Sequence, residues 1–202
     1  MKRIAVLISG RGTNLQALID AQQRNELGGK IAIVISNKSQ ALGLERAQKA
    51  NIPTKVITKK HHPERKEFDR EILQILNDYN VDLVVLAGYM RILSNEFVEK
   101  YRNKIINVHP SLLPAFKGVN SQWQAVDHGV KIAGCSTHFV THEMDDGPII
   151  LQKSVPVFDG DTGDQLAERI LPHEHAILVK SIQFFCDDRL LVEGRRVVVK
   201  EG

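Results

Sequence analysis

The sequence predicts an α/β fold in which a mostly parallel, twisted sheet carries helices on both faces and becomes mixed towards its C-terminal part. Apolar, β-branched runs alternate with segments of helical periodicity, beginning with Ile4–Ile8, Asn14–Gln23 and Ile31–Ile35. A strand, a helix and a strand within about thirty residues form a βαβ unit. These runs are apolar on both faces, which is typical of parallel strands covered by helices. No repeat or flexible linker interrupts the 202 residues, so we expect a single domain.

The alternation continues to the end of the chain. Proline is favoured in the first turn of a helix and disrupts an interior turn, so Pro63 opens one predicted helix and Pro172 interrupts or kinks another. The predicted helices are Leu42–Ala50, Pro63–Tyr79, Trp123–His128 and Asp164–Phe185. The predicted strands are Lys55–Ile57, Asp82–Ala87, Lys104–Val108, Cys135–Val140 and Ile149–Val157. Residues 135–140 alternate in polarity, which predicts one wetter face. A hairpin turning at Glu193–Gly194 completes the predicted fold.

Composition and charge exclude several classes of protein. The 27 Lys and Arg against 24 Asp and Glu leave a net charge of +3, too small and too dispersed for a nucleic-acid partner. No segment approaches the roughly 18 apolar residues of a membrane span. Cys135 and Cys186 are too few and too far apart for a disulfide framework. We therefore expect a soluble, cytoplasmic protein with small-molecule partners, no nucleic acid and no membrane.

A glycine-containing loop, Ser9–Asn14, joins the first strand to its helix. Glycines permit a tight turn that leaves backbone N–H groups at a helix N-terminus, which makes an anion site. A dinucleotide site needs a third glycine and an acidic residue after the second strand, but Leu15 and Asn37 occupy those places. The loop therefore favours a small phosphate. The alternative is a turn that serves only the topology, with Thr13 as the helix cap.

A second group of polar residues lies at the end of the strand predicted at Lys104–Val108. Asn107 and His109 are two residues apart, so they share one face of the sheet. Pro110 keeps His109 out of helical conformation at the strand's carboxyl edge, where open α/β sheets bind ligands. An amide beside an imidazole suits carbonyl chemistry, because one stabilises an oxyanion and the other donates a proton. The alternative is a packed, hydrogen-bonded histidine.

An acidic loop, Asp145–Gly147, follows the strand that contains His138. Asp145 or Asp146 could reach a histidine across the strand ends and stabilise its protonated form. A turn or a solvated acidic patch is the alternative. A metal site using His138 and His142 is disfavoured, because their spacing brings two ligands together only on a helix. The sequence predicts no metal.

Four motifs in the order of one known family carry a close resemblance over residues 3–186. They are Ile8–Gln16 (ISGRGTNLQ), Leu86–Leu93 (LAGYMRIL), Asn107–Pro114 (NVHPSLLP), and His138–Val140 leading to Asp145-x-Gly147-Pro148. The chain resembles the phosphoribosylglycinamide formyltransferases, folate-dependent enzymes of purine synthesis. The resemblance implies a Rossmann-like formyltransferase domain, a monomer or homodimer, with 10-formyltetrahydrofolate as cosubstrate and no metal. It implies a phosphate-binding half at 1–100, a folate-binding and catalytic half at 101–186, and a hairpin at 187–202.

The resemblance also implies roles for individual residues. The proposed catalytic residues are Asn107, His109 and Asp145, with Asn107 also at the folate. The expected substrate-binding residues are Gly12, Thr13 and Asn14 at the ribose phosphate and Glu174 near the amine. The expected folate-binding residues are Arg65, Met90, Arg91, Ile92 and Leu93. In the implied reaction the amine attacks the formyl carbon directly, Asn107 and His109 stabilise the oxyanion, and Asp145 assists proton movement.

Three positions depart from the family pattern. Asn120 stands where many members have His, Lys117 where Pro is frequent, and Asp146 where a small residue is usual. The difference at Asn120 affects the expected contacts with the substrate rather than the expected catalysis. Asp146 either perturbs the pKa of the histidine or faces solvent, and we expect it to face solvent.

Four alternatives remain beside this interpretation. Methionyl-tRNA formyltransferases have a similar Asn-x-His-Pro-Ser core but add an RNA-binding C-terminal domain, for which we see no basic, aromatic tail. Formyltetrahydrofolate deformylases place a regulatory domain before the first strand, which here begins at Ile4. A non-catalytic phosphate-binding module predicts no special role for Asn107, His109 or Asp145. A dinucleotide-dependent reductase is disfavoured by Asn37 and the missing glycine.

Overall fold

The computed structural model describes residues 1–58, 60 and 64–201, and its helices and strands follow the predicted alternation. The chain forms two compact units, Met1–Ile106 and Asn107–Gly202. The first part of the chain contains β1 (Lys2–Ile8), α1 (Thr13–Gln23), β2 (Gly29–Ser36), α2 (Leu42–Lys49), β3 (Thr54–Val56), α3 (Arg65–Asp78), β4 (Leu83–Leu86), α4 (Asn95–Lys100) and β5 (Ile105–His109). The rest contains α5 (Ser121–Asp127), β6 (Ile132–Phe139), β7 (Ile149–Pro156), α6 (Gly163–Cys186), β8 (Leu190–Glu193) and β9 (Arg196–Val199).

The first unit is built on parallel strands in the order β3-β2-β1-β4. Ile4 of β1 pairs with Ile31 of β2 on one side and with Leu83 of β4 on the other. Side chains 4–8 of β1 are wholly buried on both faces. Burying such a side chain contributes about 1.5–3 kcal/mol, so the continuous apolar runs place these strands in the centre of the unit.

The second unit has mixed strand directions, as predicted for the C-terminal part. β6 is antiparallel to β7, β7 is parallel to β9, and β8 is antiparallel to β9. Helix α6 and strands β6 and β7 enclose a core that includes Cys135, Val155, Leu166, Ile170 and Ile177. The predicted α/β class and the C-terminal hairpin are therefore confirmed.

Two details of the second unit differ from the prediction. β6 has no wetter face, because seven of its eight residues are buried and only Ile132 at its start is exposed. α6 is not interrupted, because it runs through Pro172 as one helix of 24 residues, and a kink at Pro172 stays a prediction. Its start is strong: the Thr162 hydroxyl accepts from the Gln165 amide, and the Gln165 side chain accepts from the Thr162 amide.

The structure adds one helix that the sequence did not predict, α4, which begins after Ser94. The Ser94 hydroxyl caps it by accepting from the amide of Phe97. The predicted opening of a helix at Pro63 lies outside the described residues, and the structure begins α3 at Arg65. None of the helices in the described ranges is long and apolar enough to cross a membrane.

Candidate active site

The glycine-containing loop after β1 is shaped by the start of α2. Gly12 has a left-handed backbone, with φ of 69°, and stands at the N-cap position of α1. A Cβ on Gly12 would lie 2.5 Å from Cα of Gly43. The amide of Gly43 donates to the carbonyl of Gly10 at 3.1 Å. Thr13 is the first helical residue, so its expected position as the helix cap is wrong, whereas a turn that serves only the topology stays an alternative.

The loop carbonyls turn towards α2, and the first amides of α1 are left without acceptors in their own helix. Arg46 Nε donates to the Arg11 carbonyl at 2.9 Å. The first backbone bond of α1 runs from Gln16 to Gly12, so the amide of Thr13 has no intrahelical acceptor. An amide of this kind at a helix N-terminus suits an anion. Phosphate binding by the Gly12–Asn14 loop stays a prediction.

Ser9 joins this loop to the two other elements at the same edge of the first unit. Its hydroxyl donates to Oδ1 of Asn37 at 2.6 Å and accepts from the amide of Met90 at 2.8 Å. Asn37 is the residue that replaces the acid of a dinucleotide site, and its oxygen is already used by Ser9. The predicted phosphate loop and the predicted folate segment are therefore held together through one hydroxyl.

The residues expected at the folate differ in exposure. Met90 and Ile92 are 67% and 59% exposed, whereas Leu93 is buried. The Arg91 guanidinium lies 3.8 Å above the Phe68 ring, a cation–π contact that orients the side chain. Arg65 donates to the Leu93 carbonyl. Met90 and Ile92 provide open apolar surface, whereas the two arginines support the segment around them.

In the second unit, Asn107 is oriented by a histidine. Nδ1 of His138 lies 3.0 Å from the Phe139 carbonyl, which only accepts, so Nδ1 carries a proton. Nε2 of His138 then accepts from Nδ2 of Asn107 at 3.1 Å. A register shift between Thr137 and His138 turns this ring towards Asn107. Asn107 keeps one further N–H for a ligand. The sequence analysis missed this role of His138.

His109 is enclosed by two acceptor oxygens. Its Nε2 lies 2.9 Å from the Phe116 carbonyl, and its Nδ1 lies 3.4 Å from Oδ2 of Asp145. The His109 and Asp145 side chains are only 7% and 11% exposed. Since a carbonyl and a carboxylate cannot donate, the imidazolium is the form that satisfies both contacts. This arrangement suits a residue that donates a proton.

Asp145 has a strained backbone conformation, and its carboxylate faces several polar groups. Its φ is 51°, and its Oδ2 accepts the Gly118 amide at 2.9 Å. Its Oδ1 lies 3.7 Å from Nε2 of His138. Burial raises the pKa of Asp145, but the hydrogen bond from the Gly118 amide and the facing His109 ring act in the opposite direction, and the net pKa is lowered. The carboxylate is therefore charged at neutral pH.

The loop after β5 is anchored to β6 by Ser136, which is wholly buried. The Ser136 hydroxyl accepts from the Leu113 amide at 3.0 Å and from Gln152 at 2.9 Å, and donates to the Ser111 carbonyl at 2.7 Å. The Phe116 ring packs against the core of the unit. These contacts fix the segment that carries the carbonyl facing His109.

Glu174 lies on α6 with 8% of its surface exposed. The burial of Cys135 and, to a smaller extent, the negative charge of Glu174 raise the pKa of the Cys135 thiol to about 12. The thiol is therefore protonated and inert. The expected role of Glu174 at the amine of the substrate stays a prediction. Among the residues that the structure describes, no group of three or more His, Cys, Asp or Glu side chains is arranged to hold a metal ion.

The structure thus brings Asn107, His109 and Asp145 together with His138 in the second unit. In the first unit, Ser9 connects Met90 to the loop that contains Gly12, Thr13 and Asn14. These features are those of an α/β enzyme equipped to stabilise an oxyanion and donate a proton.

Comparison with known proteins identifies the family. The family model described as formyl transferase matches residues 2–182. Phosphoribosylglycinamide formyltransferase of Escherichia coli (strain K12) is 48% identical over 93% of this chain and 88% of its own length. The trifunctional purine biosynthetic protein adenosine-3 of Homo sapiens is 50% identical over 90% of this chain, which spans only 18% of that relative. The chain belongs to the formyl transferase family.

Solved structures agree with this assignment. Glycinamide ribonucleotide transformylase 1 from Symbiobacterium toebii superposes with a TM-score of 0.98 at 49% identity, covering all of this chain and 95% of the other. A formyltetrahydrofolate deformylase from Pseudomonas syringae superposes with a TM-score of 0.92 at 31% identity, covering 99% of this chain and 66% of the other. The predicted family and the predicted fold are both confirmed.

Proposed function

We propose that this chain transfers the formyl group of 10-formyltetrahydrofolate to the amine of phosphoribosylglycinamide, yielding formylglycinamide ribonucleotide and tetrahydrofolate in purine synthesis. The observation that carries this proposal is the His109 imidazole held between the Phe116 carbonyl and Asp145. It occurs in a chain that is 48% identical to a formyltransferase with that substrate in its name.

In this proposal the two ligands are held by different groups. The loop of Gly12, Thr13 and Asn14 at the start of α1 takes the ribose phosphate, and the exposed side chains of Met90 and Ile92 take the flat apolar ring of the folate. Arg65, Arg91 and Leu93 support that surface, and Asn107 and Glu174 contact the folate and the glycinamide amine respectively.

The chemical step begins with attack of the amine lone pair on the formyl carbon. The carbonyl π electrons move to oxygen, and the remaining N–H of Asn107 and the His109 imidazolium stabilise the resulting oxyanion. When the oxyanion collapses, the carbon–nitrogen bond to the folate breaks and its electron pair takes a proton donated by His109. The amine loses its proton to Asp145, directly or through water, and this proton then passes to His109, which restores both groups. No metal is needed in this sequence.

The hydrogen bond between His109 and the Phe116 carbonyl must break during the chemical step. It occupies the Nε2–H of His109 at 2.9 Å, so this N–H must exchange its partner when the formyl oxygen arrives. Nδ1–H continues to face Asp145, which keeps the imidazole charged during the exchange.

The test is an assay of purified protein with 10-formyltetrahydrofolate and phosphoribosylglycinamide, following the folate product by absorbance. We expect turnover that requires the ribonucleotide and falls by about 10²- to 10⁴-fold in His109→Ala. His142→Ala, an exposed histidine near the same loop, is the matched control and should retain activity. Absence of turnover in the wild-type protein would refute the proposal.

A second candidate function is hydrolysis of the formyl donor, since a deformylase superposes with a TM-score of 0.92. The same assay separates the two functions. Release of formate without the ribonucleotide, at the rate seen with it, would assign the chain to hydrolysis.

The proposed setting is the cytoplasm, with the protein acting on small molecules as a monomer or homodimer. The net charge of +3 offers no basic surface for nucleic acid. Size-exclusion chromatography with light scattering gives the oligomeric state.

A further inference from the structure

Asp146, next to the carboxylate that faces His109, is bound by two cations. Its Oδ1 pairs with Nζ of Lys117. Its Oδ2 accepts from Nη1 of Arg195 at 2.8 Å, and its backbone carbonyl accepts from Nη2 of Arg195 at 3.1 Å. Asp146 therefore does not simply face solvent, and two of the departures from the family pattern, Lys117 and Asp146, form one ion pair.

The ion pair lies between the contacts that shape the site. Lys117 stands between Phe116, whose carbonyl faces His109, and Gly118, whose amide binds Asp145. Asp146 directly follows Asp145. One side-chain pair thus connects the loop after β5 with the loop before β7, one residue away from each backbone contact.

We infer that Asp146, paired with Lys117 and Arg195, positions Asp145 and the Phe116–Gly118 segment against His109 for the proposed formyl transfer. These three residues are called the clamp below. The inference rests on the proposed function for its catalytic consequence, whereas its structural part concerns the protein without ligands.

The backbone around the clamp needs external support. Phe116, Gly118 and Asp145 all have positive φ, at 51°, 81° and 51°. For Phe116 and Asp145 this conformation costs free energy of order 1–3 kcal/mol each, and it persists only when the surroundings impose it. A side-chain link between the two loops opposes their relaxation to conformations in which the Gly118 amide no longer meets Asp145.

The strength of the clamp comes from its three members together. The Asp146 and Lys117 side chains are 28% and 36% exposed, and Arg195 is 73% exposed. A single exposed pair contributes little, but one carboxylate shared by two cations forms a network. Hydrogen bonds from Arg195 and then Lys117 lower the pKa of Asp146 to about 2, so the carboxylate is charged throughout the neutral range.

The first experiment measures kcat and KM for both substrates in Asp146→Asn, Lys117→Met and the double variant. We expect kcat to fall by about 3- to 10-fold in each single variant, with KM for the ribonucleotide changed less than twofold. The kcat of the double variant should fall no further than that of Asp146→Asn alone, because the contact with Lys117 is already lost in Asp146→Asn. Asp146→Glu, which keeps the charge, should recover at least half of the lost kcat.

The matched control is Asp159→Asn, which removes another exposed ion pair of the same unit, that of Asp159 with Lys131. This variant should keep the wild-type kcat. Additive losses in the double variant, or an equal loss in Asp159→Asn, would overturn the inference.

A second measurement does not depend on activity. Hydrogen exchange of the Gly118 amide, followed by NMR in the ligand-free protein, should be about tenfold faster in Asp146→Asn than in wild type and unchanged in Asp159→Asn. Exchange at the wild-type rate in Asp146→Asn refutes the clamp even if the wild-type enzyme has another substrate. Faster exchange in a protein without formyl transfer supports the structural link and refutes only the proposed function.

Discussion

Oδ2 of Asp145 meets the His109 ring at 3.4 Å and the Gly118 amide at 2.9 Å. One carboxylate oxygen therefore faces the imidazole and also fixes the loop whose Phe116 carbonyl faces the other ring nitrogen. Electrostatic and geometric control of His109 are coupled through a single atom.

Asp145→Asn separates these two roles, because an amide oxygen still accepts from Gly118 but carries no charge. Without the charge the imidazolium is less stable, so we expect kcat to fall by about 10²-fold or more while the KM values change little. Steady-state kinetics check this. Asp159→Asn, which removes a carboxylate far from the ring, should be close to wild type. An unchanged kcat in Asp145→Asn would rule out a role for the charge.

The lowered pKa of Asp145 also predicts how stability depends on pH. A carboxyl group with a lower pKa in the folded state stabilises the protein above its unfolded pKa of about 3.9, and that contribution disappears as pH falls through the folded value. The difference in free energy of unfolding between wild type and Asp145→Asn should therefore be fully present at about pH 5 and shrink below about pH 4. Urea unfolding at several pH values measures it. A difference that grows on acidification contradicts the lowered pKa.

His138→Phe should impair catalysis through Asn107. The substitution removes the acceptor of the Asn107 amide and leaves buried polar groups unpaired, which costs about 1–3 kcal/mol of stability. We expect kcat to fall about tenfold, since the Asn107 N–H is no longer aimed. His138→Gln, whose side-chain oxygen can accept, should recover part of kcat. Equal activity of Phe and Gln variants would mean that the acceptor has no role.

Gly12→Ala should be more damaging than a positive φ alone explains. Gly129 has a similar φ of 66° with no atom within 4 Å of the added Cβ, whereas at Gly12 the Cβ meets Gly43 at 2.5 Å. We expect Gly129→Ala to lose about 1–2 kcal/mol in urea unfolding and Gly12→Ala clearly more. Only Gly12→Ala should also raise KM for the ribonucleotide, because the loop amides move. Equal losses of stability in both variants would show that α2 moves away from the added Cβ without a cost in free energy.

Ser136→Ala should destabilise the second unit, because three partners of one wholly buried hydroxyl lose it at once. An unpaired buried group costs about 1–3 kcal/mol, and we expect a loss of that size in chemical denaturation. Ser154→Ala, an exposed serine on the adjacent strand β7, should have no measurable effect. Similar stabilities for the two variants would contradict the network.

Much of this fold could be predicted because burial leaves a direct pattern in the chain. Residues 4–8 are apolar without interruption since β1 is covered on both faces. α4 has only six residues, too few to show a helical period, and its one local signal is the Ser94 cap. β6 was expected to have a wetter face because its buried polar residues Ser136, Thr137 and His138 resemble a solvated strand in sequence alone.

Some features of the candidate site could likewise be predicted from the sequence, and others could not. Asn107 and His109 could be predicted because residues two apart on a strand share a face, and Asp145 because the order of the motifs indicated it. The partner of Asn107 depends on a register shift in β6 and on the tautomer of His138, neither of which has a sequence signal. The partners of Asp146 are 29 and 49 residues away in the chain. Such contacts arise only from the folded arrangement.

The Phe116 carbonyl also affects the stage of the reaction at which His109 can act. In the proposed mechanism both N–H groups of His109 face protein oxygens, so a ligand atom reaches Nε2–H only after the bond to Phe116 breaks. Breaking that bond costs about 0.5–1.5 kcal/mol, more for a charged donor. A neutral formyl oxygen offsets part of this cost, whereas the oxyanion formed by attack of an amine or of water offsets more of it. The resting arrangement would therefore favour proton donation to the tetrahedral intermediate over donation to the intact formyl donor.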